Sequence, residues 1–304
     1  MIVRNNETRL SLLLAWQGTV LPKVLPALVF VILVSTVLVY LSHSSYWHLP
    51  AVPAIGFTIF GVILSIFLSF RNNACYDRWW EGRKLWGHLI ATMRHLNRDT
   101  HILKPQLREV LLQRALLFNH LLRDRLRVQQ LVIQLDPNNL GFSQQEWLAL
   151  RSQVNPAQWV LEQMQKLLVE EYQQGRMSDI IYQHLTLHLF SLGNIQGGCD
   201  RILSTPLPFS YSVLLHRAVY TFCLILPFSL EASLGWWTPI LVGLIAYMFL
   251  GLEELSAELE EPFGVQNNDL ALDTIVRMLE HETFSSLGYS DLPELIQQKN
   301  GQLR

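Results

Sequence analysis

The chain has 304 residues, of which 50% are hydrophobic and only 16% are charged, and its formal net charge at pH 7 is −2. Soluble domains carry about 25% charged residues, so the composition argues against an ordinary soluble protein. The small net charge gives no indication of nucleic-acid binding. The three cysteines, Cys75, Cys199 and Cys223, lie far apart without a CxxC pair, which argues against a structural zinc site and a disulfide framework.

Two long stretches in the first part of the chain contain no charged residue. They are residues 24–41 and residues 51–70. A helix rises about 1.5 Å per residue, so runs of roughly 18–20 residues match a hydrocarbon core about 30 Å thick. Both stretches are therefore predicted to be transmembrane helices.

Two further apolar stretches lie late in the chain. Residues 236–252 open with paired tryptophans, which suit the headgroup layer of a membrane. Residues 212–230 contain His216 and Arg217, so either this span begins after Arg217 or the basic pair faces protein. We predict four transmembrane helices in all.

Lysine and arginine residues are unequally distributed between the loops. Residues 1–23 carry three and residues 71–98 carry six, whereas loops 43–50 and 231–235 carry none. Basic residues are enriched in cytoplasmic loops, so both termini and the middle of the chain are predicted to be cytoplasmic. The predicted N-terminal cytoplasmic segment is residues 1–23, and residues 24–70 form transmembrane helices 1 and 2. A cytoplasmic helical domain follows at 71–211. Transmembrane helices 3 and 4 take residues 212–252, and an acidic cytoplasmic C-terminal segment takes 253–304.

The predicted cytoplasmic part has helical periodicity and no alternating strand pattern. Apolar residues recur at helical spacing from Leu107 to Leu122, with arginines such as Arg108 and Arg114 between them. The whole protein is therefore predicted to be all-α. Capping and breaking residues delimit a turn at 136–139 and three more helices. A capping box of Ser143 and Glu146 starts a helix over 143–154. Pro156 opens a helix that Gly175 ends, over 156–174, and Ser178 caps a helix over 179–192.

The sequence contains little that indicates catalysis. His184 and His188 have the spacing of two zinc ligands on a helix face, but no glutamate follows His184 and no third ligand is evident. No nucleophile elbow, P-loop or dinucleotide-binding motif is present. We predict neither an enzyme nor a cofactor, and we interpret Gly197-Gly198 as a close helix contact.

A run of acidic residues follows the fourth predicted span. Two interpretations are open for it: a solvated helix face, or a vestibule that attracts cations or binds a divalent ion, since hard cations prefer carboxylate oxygens. Three of the acids share a helix face, and a further one lies downstream; the candidate ion-attracting acids are Glu254, Glu258, Glu261 and Asp269.

Val62, Ile66 and Phe70 form one apolar stripe on the second predicted span. Four helices are too few to enclose a wide lumen, so a conduit would need one such helix from each of several subunits around an axis. The stripe would then form stacked apolar rings that gate by dewetting. The alternative is that it packs on neighbouring helices. Gly56, Gly61, Ser65 and Ser69 would let helices approach closely in either case.

Three segments carry a resemblance to the bestrophin family. Residues 70–83 read FRNNACYDRWWEGR, similar to the family signature after the second span. Residues 205–211 read TPLPFSY, similar to the turn that leads into the third span, and residues 258–264 read ELEEPFG, similar to the acidic segment after the fourth. The segments occur in the family's order, and the resemblance covers nearly the whole chain, with bacterial members the most similar.

The resemblance implies a homopentamer with one pore on its axis. The second helices would line a neck constricted at Val62, Ile66 and Phe70. Ile180 matches the family's second narrowing, the cytosolic aperture. The expected partners are therefore the other subunits, membrane lipid and small monovalent ions. The expected location is a bacterial inner membrane.

Two departures from animal members limit what the resemblance implies. Animal bestrophins bind calcium through dense acids after the Pro-Phe-Gly segment, whereas residues 265–269 read VQNND with a single acid. We therefore expect gating that does not depend on calcium. Val62 stands where animal members carry a larger residue, so its ring should be slightly less tight.

The ion selectivity is open to two interpretations. Animal bestrophins conduct anions such as chloride, whereas bacterial homologues favour monovalent cations, and on this resemblance we expect permeation of cations such as sodium. An anion channel is the alternative. A non-conducting membrane scaffold or sensor is the alternative of another class, and it predicts no ion flux.

Overall fold

The computed structural model describes residues 16, 18–44, 53–127 and 142–297. Those residues form ten α-helices and two short 3₁₀ turns, and no strand occurs within the described ranges, so the all-α prediction is confirmed there. The turn predicted at 136–139, and most of residues 1–23 and of the 43–50 loop, lie outside these ranges. The α-helices are α1 (Leu21–His43), α2 (Ala54–Asp99), α3 (Pro105–Leu126), α4 (Gln144–Ser152), α5 (Pro156–Gln173), α6 (Asp179–Ser204), α7 (Phe209–Ile225), α8 (Pro227–Leu234), α9 (Thr238–Glu260) and α10 (Leu272–Leu287).

The chain divides into two compact units. The first unit comprises the described residues within 4–79 and 206–262, and the second unit those within 80–205 and 263–304. Helix α2 begins in the first unit and ends in the second. It has 46 residues.

Three helical stretches among the described residues are long and apolar enough to cross a membrane. They are Leu21–His43, Ala54–Ile102 and Phe209–Glu260. The third stretch contains both later predicted spans, residues 212–230 and 236–252. Within it α8 and a 3₁₀ turn join α7 to α9, and Gly235 at that turn has a φ of 50°, a conformation that favours glycine.

The first unit is held together by close packing of α1 on α9. A Cβ atom on Gly243 of α9 would lie 2.9 Å from Ile32 Cδ1 of α1, so a larger residue at this position would force the Ile32 side chain to move. The buried core between the helices includes Val31, Val219 and Val242.

His216 and Arg217 of the third predicted span are both exposed in the single chain. The Nδ1 atom of His216 lies 2.5 Å from Glu253 Oε1 on α9, so His216 has a partner within the protein. Between α1 and α8, Ser42 Oγ donates to Glu231 Oε1 at 2.8 Å. Polar side chains of the apolar helices are thus paired with each other.

Helix α3 lies at the centre of the second unit, where it contacts α5 and α10, while α5 also contacts α6. The periodicity had placed Arg108 and Arg114 among its polar residues, but both are buried. The Arg114 guanidinium lies 4.2 Å from the centroid of the Phe142 ring, and Arg108 donates to Asn97 Oδ1 at 2.9 Å. The helix is therefore covered on more faces than an amphipathic surface helix would be.

The local capping signals of the second unit are confirmed. The Ser143–Glu146 capping box is present, although α4 ends at Ser152. Gly175 has a φ of 68° just after α5, and Ser178 Oγ accepts from the Ile181 N–H at the start of α6.

The predicted end of α6 at residue 192 is wrong, because the helix continues to Ser204. Its later glycines do not break it. A Cβ on Gly198 would lie 2.8 Å from Leu85 Cδ2 of α2, so the predicted close helix contact is present at Gly198. Gly197 has no such neighbour within 4 Å.

Candidate functional site

The apolar stripe on α2 is exposed in the single chain. Val62 is 55% exposed, Ile66 49% and Phe70 62%, whereas Leu64 and Leu68 on the opposite face are 2% and 1% exposed. Within this chain the stripe therefore does not pack on neighbouring helices, as one interpretation of the sequence required. Its apolar surface is available to another subunit, to lipid or to a lumen.

Gly61 has a packing role on another side of the same helix. A Cβ there would lie 3.3 Å from the Phe222 ring of α7, whereas Gly56 has no neighbour within 4 Å. Ser65 Oγ donates to the carbonyl of Gly61, one turn earlier in α2. The close helix approach that small residues were expected to permit is thus present at Gly61.

A buried arginine follows the apolar stripe. Arg71 is buried, with Nη2 3.4 Å from Glu260 Oε2 and Nη1 4.0 Å from Glu253 Oε1. The Glu260 side chain also accepts from the Leu207 N–H at 3.2 Å. The backbone carbonyl of Glu260 accepts from Arg78 Nε at 3.2 Å.

These contacts bring together parts of the three segments noted in the sequence. Glu260 joins residues 70–83 of α2 to the turn at residues 205–211. From that turn, the Tyr211 hydroxyl donates to the Phe67 carbonyl of α2 at 3.0 Å. The segments therefore support the helix that carries the apolar stripe, and sequence reasoning missed both Arg71 and Glu260 in this role.

Two of the candidate ion-attracting acids share one lysine partner within the chain. Lys23 Nζ lies 3.0 Å from Glu254 Oε1 and 2.8 Å from Glu258 Oε1, and the Glu258 side chain is almost fully buried. Glu261 is exposed just after the end of α9. Asp269 is buried, and its Oδ2 accepts from the Gln266 N–H at 2.7 Å, which closes a turn.

Ile180 is 80% exposed in the first turn of α6. Arg176, four residues earlier, forms a two-fold contact with Glu171, in which Nε lies 2.7 Å from Oε2. The Arg176 guanidinium holds the pKa of the Glu171 carboxyl below its ordinary value. Asp179, directly before Ile180, is exposed. Sequence reasoning did not single out this carboxylate beside the predicted aperture.

His184 and His188 acquire the third partner that was not evident in the sequence. Asp99, near the end of α2, places Oδ2 3.0 Å from His184 Nε2 and 2.8 Å from His188 Nε2. The three donor atoms lie within 4.8 Å of one another. The chain separation of Asp99 from the histidines hid this grouping.

The fold and these positions define an all-helical membrane protein with an exposed apolar stripe on one long helix. Comparison with known proteins places it further: the profile of the bacterial and fungal bestrophin proteins matches residues 1–285. The chain belongs to this family, and the resemblance stated from its sequence is confirmed.

Relatives of known name cover almost the whole chain. A voltage-dependent anion channel-forming protein of Mesorhizobium japonicum is 42% identical over 95% of this chain and 93% of its own length. The voltage-dependent anion channel-forming protein YneE of Escherichia coli is 37% identical, with 97% of each chain covered. These names indicate an ion channel rather than an enzyme.

Solved structures support the same family. A crystal structure of a bacterial bestrophin homologue from Klebsiella pneumoniae superposes with a TM-score of 0.79 at 30% identity, over 88% of this chain and 100% of that one. A single-substitution form of the same homologue gives a TM-score of 0.80 with the same coverage. The protein is therefore a membrane protein of the bestrophin fold.

Proposed function

We propose that this chain is one subunit of a homopentameric channel that passes small monovalent ions through an apolar neck. The observation that carries the proposal is the two-faced α2, which buries Leu64 and Leu68 within the chain and exposes Val62, Ile66 and Phe70. Equivalent helices around a common axis would place these residues in stacked apolar rings, where dewetting limits ion passage.

The proposed membrane arrangement has four spans and cytoplasmic termini. The apolar parts of α1, α2, α7 and α9 cross a bacterial inner membrane and contact lipid. The basic residues of 71–98 and 1–23 then lie on the cytoplasmic side, as loop charge favours. Residues 71–211 form the cytoplasmic helical domain, and residues 253–304 form the acidic C-terminal segment.

The second narrowing is proposed at Ile180, and its surroundings favour cations. The charge of Arg176 is balanced by Glu171, while Asp179 is exposed beside Ile180. Five copies of Asp179 around an axis would form an acidic ring, and such rings favour cations. Permeation of sodium-like cations is therefore the first proposal.

Glu261 is the remaining exposed acid of the proposed ion-attracting set. The single charge of Lys23 offsets one of the two charges of Glu254 and Glu258, and Asp269 is engaged in a turn, so those three contribute less to a cation-attracting field than their number indicates. The Asp179 ring is consequently the stronger basis for cation preference.

Anion permeation is the second candidate, and a specific observation favours it. Curated relatives 36% to 42% identical to this chain carry the name of voltage-dependent anion channel-forming proteins. Apolar rings carry no charge and do not choose between the signs.

Reversal potentials distinguish the two selectivities. Purified protein in a planar bilayer under a tenfold salt gradient reverses at up to about 59 mV from zero for a fully selective pore. We expect the shift towards the cation potential, and a smaller shift for Asp179→Asn. A shift towards the chloride potential refutes cation preference, and no current from any preparation refutes the channel in favour of a scaffold or sensor.

Conduction is also proposed to be independent of calcium. Residues 265–269 contain one acid, Asp269, whose Oδ2 already accepts from the Gln266 N–H. A calcium site of useful affinity needs several oxygen ligands at once. Currents should therefore be the same with a chelator and with added calcium, and a steep rise with added calcium would contradict this.

A further inference from the structure

Two helices of the second unit bring one carboxylate and two imidazoles to a common point. His184 and His188 lie one turn apart on α6, and Asp99 is the last residue of α2. Both histidines present Nε2 to the same oxygen, Asp99 Oδ2, at 3.0 and 2.8 Å. The position is partly enclosed, because the side chains of His188 and Asp99 are mostly covered while that of His184 is more than half exposed.

The donor set and its spacing suit a transition metal. Zinc binds imidazole nitrogen at about 2.0–2.1 Å and carboxylate oxygen at about 2.0–2.2 Å, so neighbouring ligand atoms in a tetrahedral site stand roughly 3.3 Å apart. The nitrogen–oxygen distances of 3.0 and 2.8 Å are within a few tenths of an ångström of that spacing. Small side-chain movements would therefore admit an ion between them.

We propose that Asp99, His184 and His188 form a binding site for a divalent transition-metal ion of the zinc class. Two imidazoles and one carboxylate fill three positions of a tetrahedral ion and leave the fourth to water. A parallel His95 ring, with its centroid 6.3 Å from that of His188, lies against one ligand. The site is distinct from the apolar stripe of α2.

The site lies on the same stripe of α6 as the proposed aperture. Ile180, His184 and His188 follow each other at intervals of four residues, so they share one helix face, and each interval advances about 6 Å along the axis. A bound ion would add positive charge next to Ile180. This consequence rests on the proposed channel function, whereas the metal site itself does not.

Zinc binding to the purified full-length chain tests the site directly. Calorimetric titration of chelator-treated protein with zinc chloride is compared with the variants His184→Gln, His188→Gln and Asp99→Asn. Each amide keeps a hydrogen-bonding group but is a poor zinc ligand, so we expect affinity to fall at least about tenfold. His120→Gln is the matched control, because His120 Nε2 also faces a carboxylate, Glu280, at 2.5 Å, yet lies outside the group.

The outcomes decide between a metal site and a hydrogen-bonded cluster. Zinc should also raise the melting temperature of wild type and of His120→Gln, and not that of the three ligand variants. Absence of zinc binding to wild type, or equal affinity in wild type and the ligand variants, overturns the proposal. Since zinc binding by wild type is itself measured, misfolding of one variant leaves the proposal testable.

Ion flux through reconstituted protein tests the consequence for conduction. Zinc on the side of the cytoplasmic helices should lower cation flux at least about twofold in wild type, because fixed positive charge repels permeating cations. The same addition of zinc should leave the cation flux of His188→Gln unchanged. Zinc that binds without changing wild-type flux overturns the effect on conduction and leaves the metal site standing, and absence of all flux counts against the channel alone.

Discussion

Replacing Phe70 with alanine perturbs the proposed neck most directly. Phe70 is 62% exposed in the single chain, and a phenylalanine side chain offers about 150–250 Å², so its exposed part is roughly 90–150 Å². At about 25 cal/mol per Å² this corresponds to roughly 2–4 kcal/mol of apolar surface per subunit. Lowering a barrier by about 1.4 kcal/mol speeds crossing tenfold. We therefore expect the single-channel conductance of Phe70→Ala to rise by at least about tenfold.

The same exposure predicts a small effect on folding. Only about 60–95 Å² of the Phe70 side chain is buried within the chain, so truncation should cost no more than about 2 kcal/mol of stability. Planar-bilayer recordings of Phe70→Ala are compared with Phe30→Ala on α1, which removes a phenylalanine that is 55% exposed and lies outside the stripe. Unchanged conductance in Phe70→Ala, or an equal rise in Phe30→Ala, refutes the assignment of Phe70 to the neck.

Three further predictions concern side chains outside the apolar stripe. Arg71→Ala removes the buried guanidinium that lies beside the carboxylates of Glu260 and Glu253, so it should lower the unfolding free energy by up to about 3 kcal/mol. The exposed Arg217→Ala is the control, and equal melting temperatures of Arg71→Ala and wild type would contradict the pairing. Tyr211→Phe should cost about 1 kcal/mol by removing the hydrogen bond to the Phe67 carbonyl, and thermal stability identical to wild type would show that this bond contributes nothing. Burial raises the pKa of the Cys199 thiol to about 12, so the thiol stays protonated at pH 8 and should react with maleimide only after denaturation; rapid labelling of folded protein at this position, detected by peptide mass, would contradict the burial.

Local signals in the sequence predicted much of the fold. Runs without charge indicated the apolar helices because burying charge in hydrocarbon is costly. Ser143 and Ser178 marked helix starts correctly because capping involves residues only a few positions apart. Gly198 behaved as expected for a close contact, but the glycines of α6 do not end it, because tertiary packing overrides the weak propensity of a single residue.

Long-range contacts could not be predicted from the sequence. The pairing of Arg71 with Glu260 spans 189 residues, and that of Asp99 with His184 spans 85. The burial of Arg114 likewise depends on Phe142, which belongs to a different part of the chain. Charged residues that periodicity places on a solvated face can thus be buried when a later segment supplies their partner.

The acidic run at the end of α9 illustrates the same limit. The sequence left open a solvated face or a cation-attracting vestibule. Lys23 contacts both Glu254 and Glu258. These acids are therefore paired within the chain, which neither interpretation had included. The pairing could not be inferred because Lys23 lies near the other end of the chain.

The mass of the intact assembly tests the central claim most directly. A neck made of α2 helices requires several copies, since one chain leaves Val62, Ile66 and Phe70 exposed. Native mass spectrometry of detergent-purified protein should give five times the chain mass of 35.1 kDa. A species with the mass of one chain, stable across detergents and concentrations, would contradict the shared pore.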